Sequence, residues 1–279
     1  ISGKRPEFKY YIPECYKNLI EKCWSNDPKK RPTFDEIMSI LEDDEFITDE
    51  INKEEYQDYI SFIKNQKIKK PFNKIQIDLE SITNKLIEEL SSKIICLDLN
   101  NYIKEKFIRR EGNFKVYQIK NKETNEIFEA KKSMIIIFYL STKEMIHLQR
   151  EINILTKLKH PLFLKLIGLS IVDFQNNLMP IIVTEMPPNN SLFNLLQMER
   201  NDKHNEEWDD TEKLITIYGI ASGMSYLHSH KVIHRNLSPE SIFFDEYLHP
   251  KIGNFGLLTQ IHSNCSITHQ TTIGIKGNI

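Results

Sequence analysis

Val232 to Leu257 reads VIHRNLSPESIFFDEYLHPKIGNFGL, and this stretch decides the fold. Two short apolar strands are expected at Ser241–Asp245 and Pro250–Ile252, separated by a turn. A polar loop, His234 to Glu240, precedes them, and an Asn-Phe-Gly turn follows at Asn254. Upstream, Glu212 to His228 (EKLITIYGIASGMSYLH) has helical spacing, with Leu214, Ile217, Ile220, Ala221, Met224 and Leu227 as the expected buried stripe. Further back, Met145 to Leu158 (MIHLQREINILTKL) is helical. From Leu97 to Met134 the sequence predicts two alternating strands, a turn at Lys120–Asn125, and a third strand that ends in lysines.

The composition narrows the class. The chain has 279 residues, 40% hydrophobic and 27% charged, which is globular and not disordered. A net charge of −2 gives no bulk attraction to nucleic acid or to a membrane surface. No apolar run is long enough to span a bilayer. Cys15, Cys23, Cys96 and Cys265 form no C-x-x-C pair and no zinc spacing, as expected of reduced thiols in a cytoplasmic protein. The chain begins at Ile1 without methionine, so a piece of a longer polypeptide is expected.

The N-terminal third reads as helices. Apolar spacing (Cys15, Leu19, Ile20, Cys23) predicts a helix over Pro13–Trp24, broken at Asn26-Asp27-Pro28. A second follows Pro32, with Thr33 as N-cap and Glu36 completing a capping box; Phe34, Ile37, Ile40 and Leu41 form its stripe. Lys53 to Ile63 predicts an amphipathic helix with Tyr56, Tyr59, Ile60 and Ile63 on one side. Lys64–Lys74 is a basic linker and Asp78–Ile95 another helix.

The Val232–Leu257 stretch resembles the catalytic and magnesium loops of the protein kinases, H-R-D-L-x-x-x-N followed by D-F-G. His234, Arg235, Leu237, Pro239, Phe255 and Gly256 match. The resemblance implies that Asn236 stands where the catalytic aspartate belongs, and that Ser241 and Asn254 stand at the two magnesium-binding positions. Ser238 replaces the basic residue that steadies the transferring phosphate. A carboxamide is no general base near neutral pH. Ser241 and Asn254 offer magnesium no negative charge.

The same resemblance places a phosphate-covering loop at Ile108–Val116. Arg109, Glu111 and Phe114 occupy its glycine positions, which leaves Gly112 one place out of register ahead of Val116. Lys131 would be the strand-three lysine and Glu151 its partner, with Glu129 in place of the alanine that lies against adenine. A one-residue slip would give those roles to Ala130 and Lys132. Thr184 would be the gatekeeper, and Glu185 and Met186 the hinge. Leu155, Leu166, His234 and Phe255 match the side chains that join the two lobes.

Residues 3–41 carry C-W-x-x-x-P-x-x-R-P-T-F, which resembles the last two helices of the tyrosine-kinase-like group. In that family the arginine matching Arg31 pairs with a glutamate of its own domain. The expected architecture is α+β and protein-kinase-like. A small β-rich lobe with one main helix (97 to about 186) joins an incomplete helical large lobe (187–279). A helical linker (46–96) and the tail of an upstream kinase-like domain (1–45) precede it, and docking of that tail on the second lobe is the less favoured arrangement. The expected function is a pseudokinase acting in signalling as a scaffold or allosteric module, the alternative being a weakly active serine/threonine kinase. ATP is expected to bind weakly if at all, and magnesium is doubtful. Partners would be proteins, as partner or substrate, with no nucleic acid and no membrane insertion.

Overall fold

The computed structural model describes residues 5, 7–66, 96–111, 113–139, 144–145, 148, 152, 154–189, 191–203, 206–255 and 259–260. Three helices come first: α1 (Glu14–Cys23), α2 (Phe34–Leu41) and α3 (Lys53–Lys64). Each begins where the local chemistry allows. Pro13 precedes α1, where a missing N–H costs nothing. Thr33 and Glu36 cap α2 reciprocally: Thr33 N–H donates to Glu36 Oε2 at 2.7 Å, and Glu36 N–H donates to Thr33 Oγ1 at 3.2 Å. Asn52 accepts from Glu55 N–H at the head of α3. Most of the basic linker and the helix expected over 78–95 lie outside the described residues.

A five-stranded antiparallel sheet follows, in the order β1-β2-β3-β5-β4: β1 (Tyr102–Glu111), β2 (Phe114–Asn121), β3 (Ile127–Ser133), β4 (Leu166–Ser170) and β5 (Ile181–Glu185). Between β3 and β4, the helical residues described within 144–155 pack Met145, Leu148, Ile152, Ile154 and Leu155 against the sheet's inner face. The helical run turns at Thr156, short of the expected Leu158. Beyond the sheet lie α4 (Leu192–Arg200), α5 (Asp210–Ser229), the short pair β7 (Ile242–Phe244) and β8 (Pro250–Ile252), and β6 (Val232–Ile233) paired with β9 (Thr259–Gln260). The rest of 256–279 lies outside the described residues. One hydrophobic core runs from the 144–155 residues through Phe163, Met224 and Leu227 to Ile242, Ile252 and Phe255, so it joins sheet and helices. This is an α+β architecture, with the antiparallel sheet and helices that the resemblance implies.

The N-terminal helices dock on α5, the arrangement the sequence left as the less favoured one. Leu41, Tyr56, Tyr59, Ile60 and Ile63 share a core with Leu162, Leu214, Ile215 and Tyr218. Phe34 lies edge-on to His228 at 5.1 Å. Tyr218 Oη donates to Glu42 Oε1 at 2.9 Å, and Asn52 N–H donates to Thr211 Oγ1 at 2.9 Å. Gly219 permits the approach: a Cβ there would sit 2.4 Å from both Pro250 Cγ and Tyr59 Oη. Burying each large apolar side chain of α3 contributes about 1.5–3 kcal/mol as an upper estimate. With α5 covered on two sides, its buried positions do not form a single stripe. Ile215 and Tyr218 are buried, whereas Ile217, expected in the core, is 38% exposed.

The docking joint holds a carboxylate out of its ordinary state. Glu212 is buried with Oε2 unpartnered among the described residues. Burial first, then the charges of Glu55, Asp209 and Asp245, push its pKa up to about 7 from 4.5. Within that window the folded chain holds a proton that the unfolded chain releases, so stability falls as pH rises through it. Glu212→Gln should remove this slope. It is expected to stabilise the fold by about 1–2 kcal/mol at alkaline pH, after allowance for screening by nearby water, and to have no effect well below the ordinary carboxylate pKa. Thermal midpoints of both proteins across the acid-to-alkaline range check this, and equal midpoints on the alkaline side would refute it.

Candidate functional site

The site is the cleft between the sheet and the β7–β8 pair. Strand alternation sets its upper wall. On β3, Glu129 lies opposite Gln118 of β2 and Thr184 of β5, and Lys131 lies opposite Val116 and Ile182. Arg109 of β1 is opposite Val116. One sheet face therefore carries Arg109, Val116, Glu129, Lys131, Ile182 and Thr184.

Ala130 and Lys132 point the other way, which corrects Ala130 as a cleft residue. It is fully buried on the outer face with Leu99, Ile119, Ile181 and Val183. Lys132 forms an ion pair with Asp173, whose side chain is fully buried. Burial alone would raise the Asp173 pKa, but the Lys132 ammonium and the backbone amides of Asn177 and Gln175 hold it down to about 2. The four apolar neighbours of Ala130 and the committed partner of Lys132 thus anchor the register, leaving Lys131 on the cleft side. Its ammonium sits 4.7 Å from the centroid of the Phe114 ring. Glu151 and Gly112 lie outside the described residues, as does the side chain of Glu111.

Thr184 and Met186 are half-buried, Thr184 on the face of the sheet that carries Glu129 and borders the cleft. The Glu185 side chain turns away from it, accepting from Lys165 N–H at 3.1 Å and from Lys251 Nζ at 2.8 Å.

The lower wall is built on His234. Its side chain is fully buried beside Phe255, with ring centroids 5.6 Å apart. Nε2 donates to Gly253 O at 2.9 Å, and Nδ1 accepts from Asn236 N–H at 3.2 Å. Burial lowers the His234 pKa, opposed by the bond to Gly253, so the ring is neutral and both nitrogens are used. This clamps the loop to the strand end that carries Asn254. Arg235, next in the chain, adopts left-handed φ of 62°, and Asn236 is exposed.

Ser241 and Asn254, the positions expected from the sequence to face magnesium, hydrogen-bond within the protein. Ser241 Oγ donates to Ser238 O at 2.8 Å and accepts from Ser238 N–H at 2.9 Å, closing a turn inside the protein. Asn254, at φ 59°, donates its amide to Glu240 O at 3.0 Å. Among the described residues, no group of three or more His, Cys, Asp or Glu side chains is placed to hold a metal ion. Ser241 and Asn254 bring no carboxylate oxygen, the charged donor through which magnesium is usually held.

Arg109 and Glu129 meet in the cleft, a pairing that reading each position alone missed. Two N–H···O bonds of 2.8 and 2.6 Å join the guanidinium to the carboxylate. The guanidinium carbon lies 5.7 Å from the ring centroid of Phe243 on β7. The signal was the hairpin register: it brings position 109 to the same sheet face as position 129.

A second concavity of about 620 Å³ opens behind the 144–155 residues, lined by Leu158, His160, Phe163, Lys165, Glu185 and Lys251. It shares no residue with the Arg109–Glu129 pair. No helix among the described residues is long and apolar enough to cross a membrane.

Comparison with known proteins agrees with this geometry. The chain is 31% identical over 161 residues to the serine/threonine-protein kinase plk-2 of Caenorhabditis elegans, covering 57% of this chain and 23% of that protein. It is 32% identical over 174 residues to the serine/threonine-protein kinase polo of Drosophila melanogaster, covering 59% and 27%. The dual specificity protein kinase pyk3 of Dictyostelium discoideum is 22% identical across 95% of this chain, the N-terminal helices included, and 18% of its own length. The chain thus spans roughly a quarter or less of the length of these relatives. A family model described as "Protein kinase domain" matches residues 110–274, more than half of the chain. With that match lying over β2 to β5, the His234 loop and the β7–β8 pair, the chain belongs to the protein kinase family.

Proposed function

We propose that this chain is a pseudokinase module that signals through protein partners and does not transfer phosphate. The observation that carries the reading is the set Asn236, Ser241 and Asn254. The first is an exposed amide with no basic oxygen, the Ser241 hydroxyl is engaged with Ser238, and Asn254 brings a neutral amide whose nitrogen is bonded to Glu240 O. Phosphoryl transfer is catalysed almost entirely by positioning and charge neutralisation, and these positions supply neither a carboxylate base nor a metal grip. Ser238 adds no positive charge at the transferring phosphate. The proposal extends to the tandem arrangement, in which residues 1–45 are the tail of an upstream kinase-like domain of the tyrosine-kinase-like group, joined by a helical linker to a domain from residue 97. Similarity to pyk3 over 95% of this chain supports reading the N-terminal helices as kinase-like.

Purified chain incubated with radiolabelled ATP and magnesium is expected to label neither itself nor a generic protein substrate. Transfer at an ordinary kinase rate that disappears on Lys131→Met, which excludes a contaminant, would overturn the reading in favour of an active serine/threonine kinase.

A further inference from the structure

We propose that the Arg109–Glu129 pair is a built-in occupant of the cleft, a clasp that closes the two lobes on each other and keeps adenine nucleotides out. The inference deepens the pseudokinase reading and rests on it for identifying the cleft as the nucleotide site.

Three observations carry it. The fork is bidentate, and Glu129 is 7% exposed against 30% for the Arg109 side chain, so the carboxylate end of the pair lies in the interior of the cleft and its guanidinium reaches toward the rim. The guanidinium also reaches the opposite lobe, with its carbon 5.7 Å from the centroid of the Phe243 ring. A flat heterocycle between them would need two layers of carbon contact, about 7 Å in all. The space between upper and lower walls is therefore already taken, by a planar cation set over an aromatic ring. Finally, the other end of the cleft is filled as well: Phe114, at a position where the family carries glycine, lies under the Lys131 ammonium. A phosphate would have to displace that ring to reach the lysine.

To enter, a nucleotide must break the fork and leave two poorly hydrated charges without each other, which opposes binding more strongly than a simple loss of contacts. The clasp also gives the cleft a structural task. It ties β1 and β3 to β7 and so holds the two walls of the cleft together.

The test is equilibrium binding of a fluorescent ATP analogue, with and without magnesium, to the full chain and to the Arg109→Gly, Glu129→Ala double variant. Both proteins are also assayed for phosphoryl transfer. The wild type is expected to show no saturable binding, and the double variant to bind at least about tenfold more tightly. Equal affinities, or saturable micromolar binding to the wild type, would overturn the clasp. If the double variant does not fold, Glu129→Gln replaces it, since it keeps the side-chain volume while removing the charge. Tighter binding than wild type is again expected, and unchanged affinity overturns the inference. Wild-type binding without phosphoryl transfer removes the clasp and leaves the pseudokinase reading standing. A variant that binds and transfers phosphate supports the clasp and removes that reading.

Discussion

Tyr56→Ala is expected to destabilise the chain by about 3–5 kcal/mol, as for other large aromatic truncations in a core. Tyr56 is fully buried where α3 meets α5. Its hydroxyl donates to Leu41 O at 2.9 Å, which ties α3 to the end of α2, and its ring stands edge-on to Tyr218 at 6.0 Å. Truncation opens a cavity between Leu41 and Tyr218 and orphans a buried carbonyl. Tyr56→Phe separates the two effects. It keeps the ring and loses one hydrogen bond, at a cost of about 1 kcal/mol, plus the penalty of an unpaired carbonyl if water cannot reach Leu41 O. Denaturant titration of all three proteins measures the difference. If the alanine variant unfolds at the wild-type midpoint, the docked helices contribute nothing to the kinase domain's stability. The same result would leave Leu214, Ile215 and Tyr218 needing another cover.

His234→Ala is expected to cost about 2–4 kcal/mol, through the cavity and the loss of partners for Gly253 O and Asn236 N–H. The pH dependence identifies the cause. Because burial lowers the His234 pKa, the folded state holds a neutral ring where the unfolded state begins to bind a proton. Its contribution is complete above the ordinary histidine value of about 6.5 and is lost as pH falls below it. The gap between wild type and His234→Ala should therefore narrow on acidification. His160, held down to about 4 first by burial and then by the neighbouring His230, destabilises both proteins in acid, so the gap and not the absolute midpoint is the readout. A gap that stays constant from neutral to acid pH would mean that His234 acts through packing alone.

Much of the local structure was legible because its causes are local. The α2 capping box needs only Thr33 and Glu36 three residues apart, and both bonds form. The stripe Tyr56, Tyr59, Ile60 and Ile63 is buried in full, since four apolar residues on one helical face have one way to leave water. At the candidate site, the chemistry of Asn236, Ser241 and Asn254 is a matter of residue type and can be read directly. The engagement of Ser241 with Ser238, and of Asn254 with Glu240, needed coordinates.

Other features were not legible, for a shared reason. Ala130 and Lys131 are adjacent, and only the pairing of three strands decides which faces the cleft. A slip of one residue exchanges the two faces of a strand, and a sequence rich in lysine at that point scores both registers alike. Ile217 was expected in the core because a helical stripe assumes one covering surface, whereas α5 is covered on two sides.

By itself, then, the amino-acid order determined the short-range items: where helices start, which strands alternate, and the residue types at 236, 241 and 254 on which the proposed pseudokinase reading rests. Tertiary structure alone decided that residues 14–63 cover α5, that Lys132 is taken by Asp173, and that Arg109 and Glu129 lock together over Phe243. Each of these joins side chains 20 or more residues apart in the chain. Such contacts depend on how strands register and helices pack, and no local pattern encodes them.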